Sequence, residues 1–128
     1  VIEIVDNTSE YWEFVRTLRN DKRVQGGFIE QVNISREAQS LYMAKYANNY
    51  IVALCDGNPA GYAGSINADI RVCVHPDFQK RGIGVKLINE VMDRFPGSYA
   101  RVKIENEASK ALFNKCGFNE KFWILERE

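Results

Sequence analysis

The sequence predicts a mixed α/β domain, and three features of the chain lead to that class. Residues 50–55, 60–66 and 70–74 are apolar runs separated by short turns, as in an antiparallel meander. Residues 82–95 then switch to helical spacing of apolar side chains. A strand-like run at 99–104 follows that helix, which makes a strand–helix–strand crossover with a parallel neighbour.

The elements follow in order. Residues 1–6 alternate apolar and polar, as a half-buried strand does. Ser9 is placed to cap a helix reaching Arg19, with Tyr11, Phe14, Val15 and Leu18 on one face. Residues 20–33 show no period and contain Gly26-Gly27. Ser35 precedes a second helical run to Ala47, with Ala38, Leu41, Tyr42 and Tyr46 aligned. Asp56-Gly57-Asn58 reads as a hairpin turn between the first two central strands, and Pro76 ends the third. In the helix 82–95, Leu87, Ile88, Val91, Met92 and Phe95 form the apolar face, and Pro96-Gly97 stops it. Residues 107–116 form a short helix stopped by Gly117, and 122–125 a last strand. With no linker, repeat or low-complexity tract, residues 1–128 read as one domain.

Composition narrows the function. Hydrophobic residues make up 45% and charged residues 27%, the balance of a globular domain. The 17 basic and 17 acidic side chains cancel, and no basic run interleaves with aromatics, so a nucleic-acid backbone is not the expected partner. No apolar run approaches the ~18 residues of a membrane span. The opening Val-Ile-Glu-Ile-Val-Asp reads as a strand and not as a leader. Cys55, Cys73 and Cys116 are odd in number, and two lie in apolar strand-like runs, which fits small buried thiols and a cytoplasmic setting. A single histidine, His75, in a turn before a proline, leaves no set of metal ligands, and no Ser-His or Cys-His pair unless His75 itself serves.

The most informative segment runs from Val72 to Gly84, where a strand ends, a turn follows and two glycines open a helix. The first amides of a helix are unpaired donors at the positive end of its dipole, and so favour an anion. Gly82 and Gly84 let backbone come close to a phosphate, and Lys80 and Arg81 add positive charge. The segment lacks the Gly-Lys-Ser/Thr of a P-loop, and Leu87 stands where a dinucleotide fingerprint needs its third glycine. Gln79-x-x-Gly82-x-Gly84, placed after a Val-x-Pro strand end, instead resembles the pyrophosphate loop of the GNAT acetyltransferases. Downstream, Asn106-x-x-Ser109-x-x-Leu112-Phe113-x-x-x-Gly117-Phe118 is similar to a second motif of that family. Both lie in register over nearly the whole chain.

The resemblance implies a GNAT fold: a mixed, mostly antiparallel sheet with a splayed parallel central strand pair and about four helices. It implies acetyl-CoA as cosubstrate, with no metal, and direct attack of an amine on the thioester. Backbone groups of Val72, Cys73 and Val74 would pair with the pantetheine arm as an added strand does, and the Val74 amide would face the developing oxyanion. The amides of Gln79, Lys80, Arg81, Gly82, Ile83, Gly84 and Val85 would hold the pyrophosphate, and Asn106 would bond the arm near its pantetheine end. The expected partner is a small-molecule or peptide amine acceptor, with a homodimer also open.

Two departures from the family bear on mechanism. Phe113 occupies the place of the tyrosine that protonates the departing thiolate, and phenylalanine has no proton to give. Arg101 stands where peptide N-terminal acetylases of the family often carry a glutamate base. Asp69, at the start of the central strand, is the candidate base, acting through water, ahead of Glu105 and Glu30. The acceptor site is expected within residues 18–46, where Arg19, Arg23 and Glu30 could read a charged substrate. The alternative that Phe113 supports is a catalytically weak acyl-CoA-binding regulatory or interaction module.

Overall fold

In a computed structural model, which describes residues 1–31 and 33–127, four strands form one antiparallel sheet in chain order. They are β1 (Ile2–Asp6), β2 (Tyr50–Cys55), β3 (Asn58–Ile66) and β4 (Asp69–Val74). The β2–β3 turn places Asp56 at φ 50° and Gly57 at φ 84°. Two positive φ values match the twist of the strands they join. The β3–β4 turn repeats this at Asn67 and Ala68, with φ of 51° and 67°. Alanine is poorly suited to that region. Its carbonyl is held by the Tyr99 amide at 2.8 Å.

Helices cover both faces. α1 (Trp12–Arg19) and α3 (Arg36–Tyr46) lie on one, where Val15, Leu18 and Met43 pack with Tyr50, Tyr62 and Cys73. The short α2 (Lys22–Gln25) follows α1. On the other face α4 (Ile83–Arg94) sets Ile83, Leu87, Ile88 and Val91 against Ile51, Ala53 and Ile70, and α5 (Glu107–Lys115) adds Phe113. Each fully buried aliphatic side chain of this set stabilises the fold by about 1.5–3 kcal/mol.

The splayed parallel strand pair expected at the centre is not part of this sheet, which is antiparallel throughout. A single parallel bridge, Asp69 with Tyr99, is what remains of it. Beyond that bridge Ala100 and Val102 pack on the α4 side of the core, while Arg101 reaches Asp69 and Lys103 the Gly26 carbonyl at 3.0 Å. The alternation read as a strand is therefore present, but side-chain contacts hold the segment without a backbone ladder. Residues 122–125 also form no strand: Phe122, Trp123, Ile124 and Leu125 are exposed and pair with neither edge of the sheet. The described residues hold five α-helices where about four were expected, the addition being α2 within the unperiodic stretch 20–33. Position 32 of that stretch lies outside the described residues. In α3, Leu41 faces solvent, while Gln39 is buried and donates to the Trp12 carbonyl at 2.8 Å. Ser35 caps this helix by accepting the Ala38 amide at 3.1 Å.

A Cβ on Gly84 would lie 2.9 Å from Leu112 Cδ2, so this glycine sets how closely α4 and α5 pack. Gly84→Ala should destabilise by at most about 2 kcal/mol, overpacking against Leu112 being offset by the roughly 1 kcal/mol of helix propensity that alanine gains over glycine. In a Leu112→Ala background the loss should shrink. Denaturant unfolding of the four proteins of this cycle checks it, and equal losses in both backgrounds would contradict the assignment.

Candidate functional site

β4 pairs with β3 on one side only, and alternation decides which of its amides remain free. The His75 amide donates to the Ala60 carbonyl at 2.7 Å, and the Ile70 amide donates outward to the Tyr99 carbonyl at 2.9 Å. Between these two anchors, Cys73 and Arg71 turn their backbone groups to β3. Val72 and Val74 turn theirs to the open edge. An added extended chain would thus pair with Val72 and Val74, and the Cys73 backbone, expected to join them, is committed to Tyr62 across the sheet. The Val74 carbonyl is met by Gln79 Nε2 at 3.3 Å.

The edge leads into the glycine loop. His75 Nδ1 accepts the Asp77 amide at 3.1 Å, which ties down the turn after the strand. Lys80 takes φ 65° and Gly82 φ 81°, and Gly82 starts α4 without a side-chain cap. A Cβ on Gly82 would meet nothing within 4 Å, so this part of the loop is open. The first-turn amides of Ile83, Gly84 and Val85 have no acceptor within the helix, the Lys86 amide being the first to reach back, to Gly82 at 3.3 Å. Arg81 lies over the Phe78 ring at 5.4 Å. Gly84 directs its close approach at Leu112 and not at open space.

Below the edge lies a cleft of about 110 Å³ that brings together Asp69, Val72, Asn106 and Phe113. The loop 79–85 does not line it. Asp69 is only 8% exposed, and its Oδ2 accepts from Arg101 Nη2 at 2.6 Å and Nε at 3.2 Å. Arg71 Nε stands 3.5 Å from the same oxygen. This hydrogen-bonded carboxylate raises the pKa of Arg101, with a further push from the charge of Glu30. Asn106 caps α5 by accepting the Ser109 amide at 3.1 Å, and its Nδ2 donates to the Gly27 carbonyl at 3.2 Å. Phe113 is buried, edge-on to Phe118 at 5.1 Å.

Ser109 of the second motif also lines the cleft, as do Arg71, Tyr50 and Tyr62, which the sequence did not mark as site residues. A signal for Arg71 was there: Asp69, Arg71 and Cys73 alternate with Ile70, Val72 and Val74, so a charged residue shares the face of Asp69. Tyr62 sits opposite Cys73 and is 2% exposed. Of the other candidates, Arg19 and Glu30 line the cleft, whereas Arg23 pairs with Asp21 at 2.7 Å and Glu105 faces Lys103 at 3.9 Å. Among the described residues no His, Cys, Asp and Glu cluster could hold a metal ion, and no helix is long and apolar enough to cross a membrane.

With this geometry in view, the chain can be set beside known proteins. The model of the Acetyltransferase (GNAT) family matches residues 6–118. Over 87 residues the chain is 32% identical to the N-alpha-acetyltransferase RimI of Mycobacterium tuberculosis, covering 59% of this chain and 55% of that protein. It thus spans about half the length of that curated relative. Among solved structures, the spermidine N-acetyltransferase of Vibrio cholerae in complex with CoA and spermine superposes with a TM-score of 0.80 at 19% identity, covering 98% of this chain and 85% of that one. The ribosomal-protein-alanine N-acetyltransferase of Brucella melitensis gives 0.81 at 20% identity, with 94% and 86% covered. At these identities the likeness is one of fold.

Burial pushes the Cys73 thiol up to about 12. The unfolded chain therefore loses this proton at a lower pH than the folded one. The associated stability is complete below the ordinary thiol value and is lost as pH rises towards about 12. Tyr62 and Tyr50, also raised first by burial, act with the same sign at higher pH. Between about pH 8.5 and 10, where free thiols but not phenols titrate, Tm should fall more steeply for the wild type than for Cys73→Ala. Parallel profiles would contradict this.

Proposed function

The chain belongs to the Acetyltransferase (GNAT) family, and we propose that it transfers an acetyl group from acetyl-CoA to the primary amine of a small molecule or peptide. The observation that carries this reading is the open edge of β4, with the Val72 and Val74 amides turned outward, running into the uncapped start of α4. Acetyl-CoA supplies a thioester carbon at which an amine forms a C–N bond as the C–S bond breaks, the amine's proton ending on the thiol. In this reading Val72 and Val74 hold the arm by backbone, with the Val74 amide directed at the acyl oxygen. The amides from Gln79 to Val85, with Lys80 and Arg81, hold the pyrophosphate. Asn106, with its oxygen already capping α5, offers the arm its amide nitrogen.

The proton chemistry falls to few groups. The Cys73 thiol stays protonated at neutral pH, which favours direct attack by the amine over an acyl-cysteine route. An acceptor amine is mostly protonated at neutral pH and needs a base. Asp69 is that base, through water at Oδ1, because Oδ2 is taken by Arg101. Phe113, buried against Phe118, offers no proton to the leaving thiolate, so solvent fills that role. The same residue favours a second reading, a CoA-binding module of low turnover.

Coenzyme A should bind in the micromolar range, on the order of −8 kcal/mol, and pantetheine more weakly. Gly82→Asn and Gly82→Asp share the left-handed backbone and differ in charge, and this type of residue tolerates that region. Calorimetry should show Gly82→Asp losing far more affinity than Gly82→Asn. Equal affinities for coenzyme A and pantetheine would remove the phosphate loop from the reading.

Asp69→Asn should lower kcat by about 10²–10⁴ and abolish the acidic limb of the pH–rate profile. Arg101→Gln should keep that limb. Matching profiles for the two variants would make Asp69 an anchor for guanidinium groups and not the base. Tight coenzyme A binding with no turnover on any amine would favour the module.

A further inference from the structure

The cleft beside β4 is split in charge. Its cations are Arg19, Arg71 and Arg101, and its anions Asp69 and Glu30. Asp69 takes Arg101 at 2.6 Å and Arg71 at 3.5 Å, while Glu30 makes no ion pair with the described residues and stands free to meet the ammonium of an acceptor. Arg19 is left over. It ends α1, it is half-buried, and its guanidinium has no ion pair or hydrogen bond to the described residues. The helix end favours a cation there, but it does not satisfy five N–H donors.

A second donor points the same way. Tyr62 lines the cleft with only 2% of its surface exposed, and its hydroxyl has no partner among the described residues. The neighbouring Tyr50 hydroxyl, by contrast, is paired with Tyr42 at 2.6 Å. Arg19, Arg71 and Tyr62 line the same cleft. The Tyr62 hydroxyl opens on the cleft and is not sealed in the core, the buried side-chain oxygen without a partner among the described residues being Asn7 Oδ1, so its O–H is free to meet a ligand seated there. A guanidinium and a neutral phenol on one cleft can both donate, and an oxyanion is the acceptor that binds such donors most strongly.

We propose that Arg19 and Tyr62, with Arg71, form a subsite for a carboxylate or phosphate carried by the acceptor, so that the substrate class is an amine bearing its own anionic group. The inference deepens the acetyltransferase reading and rests on it. Polycationic amines are disfavoured, because the three guanidinium groups of the cleft outnumber its two carboxylates. Arg19 and Tyr62 act here as specificity-determining residues.

The test has two readouts. The first is acetyl transfer to matched pairs: amino acids against their carboxamides, glucosamine 6-phosphate against glucosamine, with spermidine as the polycation. The anionic member of one pair should have the higher kcat/KM by about ten- to hundredfold, the worth of one or two charge-assisted hydrogen bonds. Which pair responds separates carboxylate from phosphate. Arg19→Gln should erase the preference and leave the affinity for coenzyme A unchanged. Preference for neutral amines or spermidine, or a preference that survives Arg19→Gln, overturns the proposal. The second readout does not need turnover. With coenzyme A saturating, inorganic phosphate or acetate should shift the Arg19 Nε–Hε resonance, and Tyr62→Phe should weaken that binding. If neither anion moves it, the subsite is wrong even where transfer occurs. Were coenzyme A not to bind, the acetyltransferase reading would fail by itself, and the same anion titration of the free protein would still decide the subsite.

Discussion

A backbone amide that leaves a sheet must find an acceptor, and β4 has three residues facing that requirement on its outer edge. Ile70 meets it through Tyr99. Val72 and Val74 have open edge beside them. Exposed strand edges invite pairing by any extended chain, and proteins ordinarily cover or charge them. Here the edge is bordered by a segment, 100–104, that packs by side chains alone, so the gap persists. The rest of the molecule serves that gap. β3 holds the inner edge of β4, the loop 75–82 leads from β4 to the start of α4, and α5 is set against α4 by the contact of Gly84 with Leu112.

The charge arrangement follows from the same strand. Alternation puts Asp69, Arg71 and Cys73 on the face shared with α1 and α3, and Ile70, Val72 and Val74 on the face packed by α4. One strand thereby separates an apolar surface from a polar cleft. Arg101, held at Asp69, and Arg19, at the end of α1, close the cleft from two sides. A carboxylate enclosed by two guanidinium groups is costly to remove, because it would leave them uncompensated.

Much of this was legible in the sequence, for local reasons. The meander from 50 to 74 is written in apolar runs and a two-residue turn with Asp-Gly, and the helix of 83–94 in its spacing. The family followed from two motifs in register. What failed to read was non-local. Residues 99–104 alternate as a strand does, yet whether a strand pairs depends on what Arg101 and Lys103 grip elsewhere. The apolar run 122–125 has β-like composition yet docks on neither edge of the sheet. Gly84 carries a second constraint that no local pattern shows: the space for a Cβ there is taken by Leu112, twenty-eight residues away in sequence. Tyr62 carried no signal by itself. Its meaning comes from a hydroxyl left unpaired in a cleft, which only three dimensions reveal.

The half-finished edge of β4 also has a thermodynamic reading. A sheet whose last strand is completed from outside ties the folding equilibrium to the concentration of whatever completes it. Any ligand seated there adds RT ln(1 + [L]/Kd) to stability, about 2.7 kcal/mol at a hundredfold excess over Kd. For a small domain that is a sizeable share of the margin that separates folded from unfolded chains. The persistence of the protein in a cell would then track supply of that ligand, with scarcity exposing the chain to proteolysis and abundance shielding it.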